Sequence, residues 1–81
     1  MNTQTPEVAA IVAQIKPLLA GKSPEVQGAV LADCLAIWLA GHQAAGGAAA
    51  TRKLRAELLA EHCFAVRHLT SVNAKMMGTT P

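Results

Sequence analysis

The chain has 81 residues, a formal net charge of +2 and two cysteines, Cys34 and Cys63. That length suits one domain, which buries only about 60–65% of its unfolded surface; two cysteines exclude a disulfide framework, and so small a charge gives no electrostatic ground for a nucleic-acid or membrane partner. Seventeen alanines against one Trp, one Phe and no Tyr favour helix over strand.

Met1–Gln4 reads as a loose terminus. The opening M-N-T-Q-T-P-E has no basic segment ahead of its apolar stretch, so no secretory signal is expected. Thr5-Pro6-Glu7 is a helix start, with Thr as N-cap, Pro in the first helical position and an acid at the positive end of the dipole. Val8, Ile11, Val12, Ile15, Leu18 and Leu19 then fall on one stripe at about 100° per residue, while Glu7, Gln14 and Lys16 lie off it. Pro17 falls on the opposite side and either kinks the last turn or ends the helix early. Ala20-Gly21-Lys22 is a short connection, and Ser23-Pro24-Glu25 repeats the start signal. So short a link predicts an antiparallel helical hairpin.

The second helix is the most apolar stretch of the chain. Val26, Val30, Leu31, Cys34, Leu35, Ile37, Trp38 and Leu39 span an arc of roughly 220°. Asp33 is the one side chain between Val26 and Ala40 that is charged at neutral pH. The remaining side carries Ala29, Ala32, Ala36 and Ala40. These are read as exposed helix formers, with a close helix–helix approach as the alternative. Cys34, set among Val30, Leu31, Leu35 and Trp38, is predicted to be a small core hydrophobe.

His42–Ala50 is a Gly/Ala-rich connection broken at Gly46-Gly47. The third helix is predicted from about Ala49 to Asn73, with Leu54, Leu58, Ala65, Leu69, Val72 and Met76 on one face and His62 set into that stripe. Glu57, Glu61, Arg67 and His68 form a polar side with Phe64 in its midst. Met77–Pro81 is expected to fray. No apolar run reaches the roughly 18–20 residues that a membrane span requires. The chain is therefore expected in the cytoplasm, both thiols reduced.

Candidate chemistry is sparse. Gly21-Lys22-Ser23 resembles the end of a phosphate-binding loop, but Lys16 stands where the motif needs its first Gly and a helix precedes it in place of a strand. His62, Cys63 and His68 lack the i, i+3 or i, i+4 spacing that converges on one metal ion. No Cys-x-x-Cys, oriented base or paired carboxylate is present, so no catalytic residue, cofactor or metal is expected. A DNA-reading helix-turn-helix fails because its reading helix would be the apolar second one. Arg52, Lys53 and Arg55 form the chain's charge cluster and define an alternative, an anion or nucleic-acid binder, although a nucleic-acid partner is thinly supported without interleaved aromatics. A third possibility is an apolar-ligand carrier with a pocket beside Trp38. A polar seam is also predicted, in which Asp33 meets His62 or Arg55.

These observations predict an all-α single domain of three helices, about 6–20, 24–41 and 49–73. Two flanking helices offer one stripe each and cannot cover the whole arc of the second. The missing cover is expected from oligomerisation, a homodimer being the commonest form, or from a protein partner. Trp38, Ile37, Val30, Leu59 and Phe64 are the predicted interaction surface. The leading functional expectation is a non-enzymatic, self-associating interaction module, serving as an adaptor or regulator.

Overall fold

Thr5 and Ser23 open the first two helices by the same chemistry. In the computed structural model, which describes residues 5–80, Thr5 holds extended backbone geometry and its Oγ1 accepts from the Val8 amide at 3.3 Å. Ser23 Oγ accepts from the Val26 amide at 3.2 Å. Each hydroxyl satisfies one of the amides that a helix start leaves unpaired. Among the described residues all regular structure is helical: α1 (Pro6–Leu19), α2 (Pro24–Ala40) and α3 (Ala48–Met77). The chain is a small all-α protein.

Its contacts cluster into two units, Met1–Cys34 and Leu35–Pro81, with the division falling inside α2. In the first unit α1 runs through Pro17 and stops two residues later, one residue short of the predicted end. Ala20 donates to the Lys16 carbonyl at 3.0 Å, and Gly21 then takes φ +76°, a left-handed turn that a side chain would strain. Gln27 donates from Nε2 to the Leu19 carbonyl at 2.9 Å, so the first turn of α2 caps the end of α1.

In the second unit the end of α2 is closed completely. A helix leaves its last four carbonyls without intrahelical partners, and here each has one. Ile37 accepts from the Gly41 amide at 3.1 Å, and Leu39 from the His42 amide at 3.0 Å. Trp38 accepts from His42 Nδ1 at 2.6 Å, which requires the proton on that nitrogen. Ala40 accepts from Arg55 Nη2 at 3.0 Å. Gly41 therefore lies just past the helix and not inside its predicted limit.

α3 is longer than its sequence suggests, beginning at Ala48 and continuing to Met77 where Asn73 was the predicted end. Asn73 donates from its side chain to the Leu69 carbonyl at 2.9 Å, which leaves its backbone free to continue the helix. The stop comes at Gly78, which is left-handed at φ +75°, with Thr79 donating back to Ala74 at 2.9 Å. Met77 to Thr79 are thus helix end and cap, not a frayed tail; Met1–Gln4 and Pro81 lie outside the described residues.

Burial is scant. Ala74 is the buried residue among those described, and α1 and α2 bury none. Leu54, Leu58, Ala65 and Leu69 form the half-covered line of α3, which ends on Ala74; Val72 and Met76, predicted to share that face, are exposed. Cys34 is also exposed and not a core residue. The alanines at 29, 32, 36 and 40 are exposed, in keeping with their reading as helix formers.

Candidate functional site

The five residues predicted as an interaction surface all stand exposed: Val30 on α2 in the first unit, Ile37 and Trp38 on α2 in the second, and Leu59 and Phe64 on α3. Ile37 and Phe64 are the barest, at 65% and 70% exposure. On α3 Leu59 and Phe64 are five residues apart, about 140° around the helix, so they belong to different sides. Trp38 is shared between solvent and two imidazoles. The His42 ring meets it edge-on at 5.1 Å between centroids, and the His62 ring is tilted against it at 5.8 Å. His62 reaches this position because it continues the Leu58–Ala65 line of α3, at four and three residues from its neighbours.

Arg55 is turned to backbone carbonyls at the end of α2. Its Nε donates to the carbonyls of Leu39 and His42, both at 3.1 Å, while Nη2 takes Ala40. The planar guanidinium suits this fork, and a positive charge is favoured at the negative end of a helix dipole. Arg55 and His62 are therefore brought together around the last turn of α2. Asp33, the third residue of the predicted seam, lies in the first unit.

The same bonds thin out the basic cluster. With Arg55 turned to backbone carbonyls, Arg52 and Lys53 remain, and Lys53 Nζ lies 4.0 Å from Glu57 Oε1. Both partners of that pair are solvent-exposed, so it adds little. An open groove lies at the far end of α3, lined by Val66, Leu69, Asn73 and Met77 among others. Its lining does not include Trp38. Among the described residues no three His, Cys, Asp or Glu side chains converge as a metal site, and no helix is long and apolar enough to cross a membrane.

Two features went unread in the sequence. The α1 stripe has the period of a packed face, yet Val8, Ile11, Val12, Ile15 and Leu18 are all exposed. His42 was placed in a connection; its signal was the four-residue step from Trp38 at the end of a helix, the spacing that lets a side chain reach an unpaired carbonyl. The chain shows no significant match to a protein-family model, a curated protein or a solved structure.

Proposed function

We propose that the protein is a non-enzymatic, self-associating interaction module, whose exposed apolar faces are covered by a second copy and through which it serves as an adaptor or regulator of another protein. The observation that carries this reading is the burial pattern. Sixteen large apolar side chains of the described residues stand exposed, while the one buried residue is an alanine. Single exposed apolar residues are normal, but sixteen on so short a chain are not. Small domains without disulfides commonly make up a missing core by association. The two free, exposed thiols suit a reducing compartment, and we place the protein in the cytoplasm on that ground.

Sedimentation equilibrium in dilute buffer tests the reading. The expected result is a mass that is a multiple of the 8.4 kDa chain. A monomer of full helical content with a sharp unfolding transition would contradict it.

A further inference from the structure

We draw no further inference here: the strongest candidate, the exposed apolar stripe of α1 that runs from Val8 to Leu18, carries none, since nothing in the structure shows what covers it.

Discussion

Arg55 closes the end of a helix sixteen residues before it in the chain, reaching Leu39 through Nε. Two of its nitrogens serve three carbonyls, a planar spread that the point-like ammonium of a lysine matches poorly. Bonds to a charged donor are each worth more than neutral ones, although the Ala40 bond is exposed to water, which weakens it. Arg55→Met is therefore expected to cost about 1–2 kcal/mol, with Arg55→Lys recovering only part. Urea midpoints at one fixed protein concentration check this, and equal midpoints for the three proteins would remove the role given to Arg55. This role was not legible in the sequence. A basic residue near the start of a helix reads as a surface charge, and only the fold of the connection brings the carbonyls of α2 within its reach. His62 was more legible: its place in the apolar line of α3 marks it as a group at a helix contact, and the Trp38 ring lies against it.

At the scale of elements, local signals carried most of the information. The two T/S-P-E starts located α1 and α2 to the residue because hydroxyl capping and proline geometry act within four residues and need no tertiary support. Ser23→Ala is expected to lose about 1 kcal/mol, read from the thermal midpoint of the whole chain, with Ser23→Thr close to wild type. A midpoint unchanged by the alanine would mean that the cap is redundant with the Gln27 bond to Leu19. The end of α3 was misread for an equally local reason. Asn73 is a common helix stopper, but its amide group bonds back to Leu69 within the helix, and Gly78 with Lys75 just before it supplies the actual stop.

Across the whole molecule the sequence pattern predicts more apolar surface than cover, and places the excess on α2 with Leu59 and Phe64 of α3. The structure extends it to α1, whose stripe has the periodicity of a buried face yet stands exposed. Periodicity reports that a face is to be covered; it does not say whether the cover comes from the same chain or from another. The line from Leu54 to Ala74 gives the second unit a partial core, and none of the described residues of the first unit is buried. Stability that depends on a second copy must depend on protein concentration, since a folded dimer in equilibrium with unfolded chains is weakened by dilution. The most direct test is the thermal unfolding midpoint of the wild-type chain over a hundredfold range of concentration. Such a dilution removes about 2.7 kcal/mol of stability per dimer, so the midpoint is expected to fall by several degrees from the concentrated to the dilute sample. A midpoint that stays constant across the range, with full helicity retained at the lowest concentration, would contradict the central claim that a second copy completes this fold.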